Sequence, residues 1–308
     1  MDKPHTLKAV FTASTSFDDK DGKKDLRVFR PSNGYWYALL SSNNYDRTKA
    51  FSIQWGVNGD VPFIGDIDGD GKADAIIFRP SNGYWYALLS GNNYDRMKPL
   101  TRQWGTSGDV PLVGDIDGDG RADLIVWRPS NGYWYVLLSS TNYDRTKPLT
   151  RQWGTNEDKP LIGDIDGDGK ADLIIWRPSN GYWYALLSGT GYDRMKPLTR
   201  QWGTNGDIPL IGDLDKDGRA DIMVFRPSNG YWYALLSSVS YDRTKAFSKQ
   251  WGTSGDRPLI GDIDGDGKAD IMVWRQSNGY WYALLSGKNY DRTQAFSKQW
   301  GTSGDVPT

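Results

Sequence analysis

The sequence predicts an all-β fold, a six-bladed β-propeller with four antiparallel strands in each 49-residue blade, and three observations carry that prediction. Aligned on itself at a spacing of 49, the chain gives six copies without insertion or deletion, with the landmark SNGYWY beginning at Ser32, Ser81, Ser130, Ser179, Ser228 and Ser277. Every copy holds four short strand-like stretches divided by polar turns. The middle two stretches are apolar at nearly every residue, as in strands covered on both faces. Small sheets of this kind bury one another when arranged radially. Closing the ring leaves few exposed edges, whereas an open stack would leave two large apolar end faces.

The elements follow in order within one copy. PLIGD (160–164) is the first strand and leads into an aspartate-rich loop; DLIIWRP (172–178) is the second and stops at a proline, which cannot continue a central strand. SNG supplies an Asn-Gly hairpin turn into YWYALLS (182–188), and the polar GTGYDR leads to PLTRQWG (197–203). In that last strand Leu198, Arg200 and Trp202 alternate with Thr199 and Gln201, which suits an outer strand with one wetter face. The chain thus reads as a single propeller domain over 1–308, with blades starting near residues 9, 58, 107, 156, 205 and 254. Residues 7–17 are expected to supply the inner strand of blade one, with the C-terminal GTSGDVPT meeting it across the closure.

Composition narrows the chemistry. The 308 residues contain no cysteine, so there is no disulfide, thiol nucleophile or thiolate metal site, and 15 Trp and 18 Tyr supply ample aromatic core. His5 is the one histidine and is expected to be a solvated terminal residue, which leaves no imidazole for a catalytic triad or a multi-histidine zinc site. No apolar run is long enough to span a bilayer, and Met1–Ser16 lacks the apolar core of a secretory signal, so either a longer precursor precedes it or the chain stays in the cell.

The most informative motif is GDIDGDGKAD (65–74) and its near copies. In copy two, Asp66, Asp68, Asp70 and Asp74 take positions 1, 3, 5 and 9 of a loop with Gly71 at position 6. Alternating oxygen ligands around a glycine turn suit a hard cation with six to eight oxygen ligands, calcium being the usual one. An ion between them explains why the carboxylates converge. Position 12 is Ile77 rather than the glutamate of a helical calcium loop, so the expected site rides on a β-hairpin. The further sets are Asp115, Asp117, Asp119, Asp123; Asp164, Asp166, Asp168, Asp172; Asp213, Asp215, Asp217, Asp221; and Asp262, Asp264, Asp266, Asp270. Copy one keeps Asp19, Asp21 and Asp25 but has Phe17 at position 1, which predicts a weaker site unless Asp18 substitutes. Six divalent ions would carry the formal charge from −1 to about +11, or to about +9 with copy one empty.

The stretch PLIGDIDGDGKADLIIWRPSNGYWY resembles the FG-GAP (VCBS-type) repeat, the blade unit of integrin α-subunit propellers and of many bacterial extracellular proteins. The resemblance covers residues 9–308 and implies a calcium-stabilised propeller that serves adhesion, carbohydrate binding or scaffolding, usually outside the cytoplasm. Two departures accompany it. The literal Phe-Gly and Gly-Ala-Pro signatures are absent, and the copies are nearly identical, which points to recent duplication or a consensus-derived array.

For ligands, sugar recognition needs an aromatic face with a few fixed polar groups. On the side opposite the aspartate loops, Arg79, Asn82, Trp104 and Asp109 form the candidate lectin-like patch, with equivalents in other blades. Arg79 is expected either to contact ligand or to pair with a nearby Gly-Asp aspartate. The GYWY tryptophans are expected in the core, and the QWG tryptophans between blades in preference to ligand stacking. Three function classes follow: a multivalent glycan-binding or adhesion module, a structural or protein-interaction scaffold of a larger secreted protein, and, least favoured, a polysaccharide-degrading enzyme. The last is disfavoured because Glu157 is the sole glutamate and a sixfold array has no unique catalytic carboxylate pair. No basic cluster or RNA-binding motif supports a specific nucleic-acid partner. An extracellular or cell-surface location is expected, where millimolar calcium would fill even modest sites.

Overall fold

The computed structural model describes residues 17–308 as six four-stranded antiparallel sheets, with short 3-10 turns and no α-helix among the described residues. The fourth blade is representative. Its strands are Lys159–Gly163, Asp172–Arg177, Tyr182–Leu186 and Leu198–Gln201, paired in sequence order through Gly163 with Asp172, Arg177 with Tyr182 and Tyr182 with Gln201. The Asn-Gly turn forms as the sequence predicts: the Gly181 amide donates to the Arg177 carbonyl at 2.8 Å and Asn180 Oδ1 accepts from the Tyr182 amide at 3.0 Å. Gly181 has φ +70°, and a Cβ there would overlap the carbonyl oxygen of Gly203, so the position demands glycine twice over.

The second strand is buried except at its last residue, Arg177, but the third is not covered as fully as its apolar sequence suggests: Tyr182 and its equivalents Tyr35, Tyr133, Tyr231 and Tyr280 are 37% exposed. The tyrosine amphipathy accounts for this, since a ring can pack on its neighbour, here Tyr184, while its hydroxyl reaches water. The hydrophobic core lies between blades. Ile174, Trp176 and Trp183 of blade four pack with Ile222, Val224 and Leu235 of blade five, and Trp274 and Trp281 of blade six pack with Val28 and Leu39 of blade one. The GYWY tryptophans are fully buried, each donating its indole N–H to the carbonyl of the QWG tryptophan of its own blade, as Trp183 does to Trp202 at 2.8 Å.

Ring closure corrects the expectation from the sequence. The inner strand of blade one is Val306–Pro307, antiparallel to Leu26–Arg30 through Phe29 with Val306 and Val28 with Pro307. Residues 7–16, expected to fill that place, lie outside the described residues; the place itself is occupied by the other end of the chain. Local pattern favoured 7–17 because the stretch precedes the first aspartate loop, whereas the ring brings residue 306, some 280 positions away, to the same edge.

Candidate metal loops and inter-blade grooves

In blades two to six the aspartate loop joins the inner strand to the second strand, and in blade two the Gly65 with Asp74 pairing brings the two ends of the loop together. The chain then turns tightly because its own carboxylates collect backbone amides. Asp66 Oδ1 accepts from Gly69 at 2.7 Å and Oδ2 from Gly71 at 2.6 Å, while Asp74 Oδ2 accepts from Ile67 at 2.7 Å. Carboxylate oxygens converge to within 4.8 Å of one another in the sets Asp66, Asp68, Asp70; Asp115, Asp117, Asp123; Asp164, Asp166, Asp172; Asp213, Asp215, Asp221; and Asp18, Asp19, Asp25. In blade six Asp262 repeats the amide pattern, accepting from Gly265 and Gly267, and Asp264 accepts from Gly287.

The donor set fits a hard cation. Asp117 Oδ1 and Asp215 Oδ1 are buried oxygens without a hydrogen-bond partner, a costly arrangement that an ion would relieve. Burial pushes the Asp74, Asp123 and Asp221 carboxyls up to about 7, and those of Asp25, Asp172 and Asp270 to about 6. Without a cation these groups resist ionisation; with one, they supply the negative charge a divalent ion needs. The repeated aspartate triads can therefore hold a metal such as calcium.

Two further residues complete each loop and come from the connection between the third and fourth strands. The serine opening that connection is one: Ser139 donates its amide to Asp123 Oδ1 at 2.7 Å, and its hydroxyl lies 2.9 Å from Asp119 Oδ1. The tyrosine of the YDR segment is the other. Tyr143 is buried, and its hydroxyl reaches the Ala122 carbonyl of its own loop at 2.7 Å and the Ile67 carbonyl of the preceding loop at 3.3 Å. Sequence reasoning took the YDR segment as a polar connection and did not assign these contacts. The recurring Ser and Tyr, 16 and 20 residues beyond the last aspartate, are the only trace of them in the sequence.

The loops are also tied to one another. The amide of Ala122 donates to the Asp66 carbonyl at 2.6 Å, and the same bond joins Ala171 to Asp115, Ala220 to Asp164, Ala269 to Asp213 and, across the closure, Lys24 to Asp262. The remaining link differs: Ala73 donates to the Asp18 side chain at 2.7 Å. In this first loop Arg27, 7% exposed, places its guanidinium 2.6 Å from Asp25 Oδ2 and 3.3 Å from Asp18 Oδ1.

The candidate ligand patch is distributed over several environments. Arg79 makes a two-pronged ion pair with Asp60 at 2.7 and 2.8 Å and lies over the Tyr86 ring, while Asp109 pairs in the same way with Arg128, both in blade three. Asn82 serves its own hairpin, accepting from the Tyr84 amide and donating to the Tyr86 hydroxyl. Trp104 stands between blades, edge-on to Tyr135, with its indole N–H donated to the Tyr135 carbonyl at 3.1 Å. Its exposed part floors a groove of about 260 Å³ with Gln103, Thr106, Tyr135, Arg128 and Arg145. Equivalent grooves of about 280 and 250 Å³ lie at Trp153 with Arg194 and at Trp202 with Arg243. These volumes fall just below the ~300–1,000 Å³ of drug-sized sites, and an aromatic floor with an amide and two guanidinium groups suits one sugar ring. Finding the grooves from sequence would require knowing which residues of adjacent blades face each other.

Comparison with known proteins places these features in context. The FG-GAP-like repeat family matches at residues 66–126, 115–175 and 164–224, together just over half of the chain. No curated protein matches significantly. Among solved structures, a lectin of Agrocybe aegerita that recognises non-reducing terminal N-acetylglucosamine is 16% identical, with a TM-score of 0.51 over 96% of this chain and 97% of that one. Virginiamycin B lyase of Staphylococcus aureus is 10% identical, with a TM-score of 0.51 over 92% and 86%. At such identities the likeness is one of fold alone.

Proposed function

This chain belongs to the FG-GAP-like repeat family, and we propose that it is a non-enzymatic, calcium-stabilised propeller serving as a multivalent binding and adhesion module for glycans. The observation that carries the reading is the repeated inter-blade groove, in which Trp104, Trp153 and Trp202 each offer an aromatic floor beside Arg145, Arg194 and Arg243 respectively. Each groove holds little more than one sugar ring, so single-site affinity is weak, and a polyvalent ligand gains strength by engaging several grooves of one rigid ring. Calcium in this reading is structural: it holds the loops on one side of the ring while the grooves between blades take the ligand. Such a protein works best outside the cell or on its surface, where calcium is abundant. Carboxylates engaged as cation ligands or as partners of Arg79 and its equivalents are poorly suited to acid-base work, which supports a binding role over catalysis.

A scaffold that binds protein rather than sugar is the second reading, favoured by the engagement of Arg79 and Asp109 in internal ion pairs. The test is glycan-array binding of the calcium-loaded protein beside a variant in which the exposed Arg145, Arg194 and Arg243 are all alanine. Binding by the parent that the triple variant loses, with melting temperatures alike, supports the glycan reading. Absence of binding by the parent favours the scaffold.

A further inference from the structure

Five of the six loops share two features that the first lacks. Position 1 is aspartate, and the residue two beyond the last aspartate is buried and apolar: Ile76, Ile125, Ile174, Met223 and Met272. In blade one these positions are Phe17 and Arg27. Phe17 is fully buried in the core between blades one and two, so the loop has lost the carboxylate that elsewhere gathers the turn amides. Arg27 starts from a core position and bends into the loop. Its Nε donates to the Phe17 carbonyl at 3.0 Å, its plane lies over the Phe17 ring, and Nη2 reaches Asp25 Oδ2 at 2.6 Å. In blade two the corresponding oxygen of Asp74 accepts the Ile67 amide instead.

A buried guanidinium is charged under all ordinary conditions and must be paired. Here its partners are Asp18 and Asp25, two of the three carboxylates that converge in this loop. A divalent ion among the same oxygens would face a fixed positive charge in a poorly screened site. Lys20 stands where blade two has Gly69 and directs its ammonium away, to the Asp70 carbonyl of the second loop, so the fixed charge within the first loop is that of Arg27.

We propose that Arg27 is the resident cation of the first loop, so that the chain binds five divalent ions rather than six and blade one is ordered without metal. The inference rests on the metal-binding reading of the other loops. The loop so held belongs to the blade that closes the ring, the sheet completed by Val306–Pro307.

Native mass spectrometry of the full chain at saturating calcium tests this, with Asp21→Asn in loop one and Asp70→Asn at the same position in loop two. Asparagine keeps an acceptor oxygen for Ser41 or Ser90, so both variants retain the local hydrogen bonds. The expected result is one ion for each four-aspartate loop in the parent, the same count in Asp21→Asn and one fewer in Asp70→Asn. A sixth ion in the parent, or the loss of an ion in Asp21→Asn, overturns the inference. A parent that binds none overturns the metal reading itself, and the inference with it.

Discussion

Tyr45, Tyr94, Tyr143, Tyr192, Tyr241 and Tyr290 all hold φ between 55° and 61°, a left-handed conformation that a bulky side chain adopts at a cost. What offsets the cost is the buried hydroxyl. In Tyr143 its single proton is best placed for the Ala122 carbonyl at 2.7 Å, so the strained backbone pins the metal loop. Tyr143→Phe is therefore expected to lower stability by about 1–2 kcal/mol, because a buried carbonyl loses its donor, and to weaken calcium uptake. Calorimetry with and without calcium checks both effects. Glu157 is strained without such recompense: it has φ 77° where Gly108, Gly206 and Gly255 have 87° to 89°. Glu157→Gly should raise stability by about 0.5–1 kcal/mol, measured as the shift in a denaturant midpoint. The sequence shows Glu157 as the odd residue in a glycine column, and that column is legible because positive φ selects glycine directly. The tyrosines are less legible, since nothing in an Asn-Tyr-Asp string reveals that the ring turns inward.

Among the elements, the loops combine carboxylates that want a cation with burial that penalises their charge. In the metal-free protein Asp74, Asp123 and Asp221 are pushed up to about 7 by burial, far above the 3.8 of an unperturbed aspartate. The folded state then holds protons more tightly than the unfolded one, so this contribution to stability is full below about pH 4 and is lost as pH rises through 7. Metal-free protein should accordingly melt at a higher temperature at pH 5 than at pH 7.5, and an increase toward pH 7.5 would sink the argument. The convergence of the loop carboxylates was legible in the sequence because all four lie within nine residues and their spacing encodes their geometry. Strand limits were legible for a similar reason: Pro178 and the Asn180-Gly181 turn mark them locally. The grooves were not, because each depends on which blade faces which; the pairing of Arg79 with Asp60, one of the two readings the sequence left open, joins adjacent strands of a single blade. Arg27 was visible as a letter, yet its direction, out of the core and into the loop, exists only in three dimensions.

Over the whole molecule, hydrogen bonds between successive loops and cores shared between successive blades make each blade's order depend on its neighbours. Loss of one ligand should be felt around the ring rather than in one blade. Asp70→Asn is expected to lower the calcium-loaded melting temperature while keeping a single calorimetric transition; a new low-temperature transition would mean that the blades unfold separately. The seam behaves differently under load. Among the described residues, Phe29 with Val306 and Val28 with Pro307 are the strand pairs that join the first blade to its inner strand, reinforced by Arg30 gripping Asp305 and by the Thr308 amide on the Arg27 carbonyl. Tension applied to the chain on either side of this seam would load those few bonds in shear before any complete blade bore force. The ring would open there like a clasp, leaving five intact sheets behind it, a mechanical fuse set by where the chain's two ends meet.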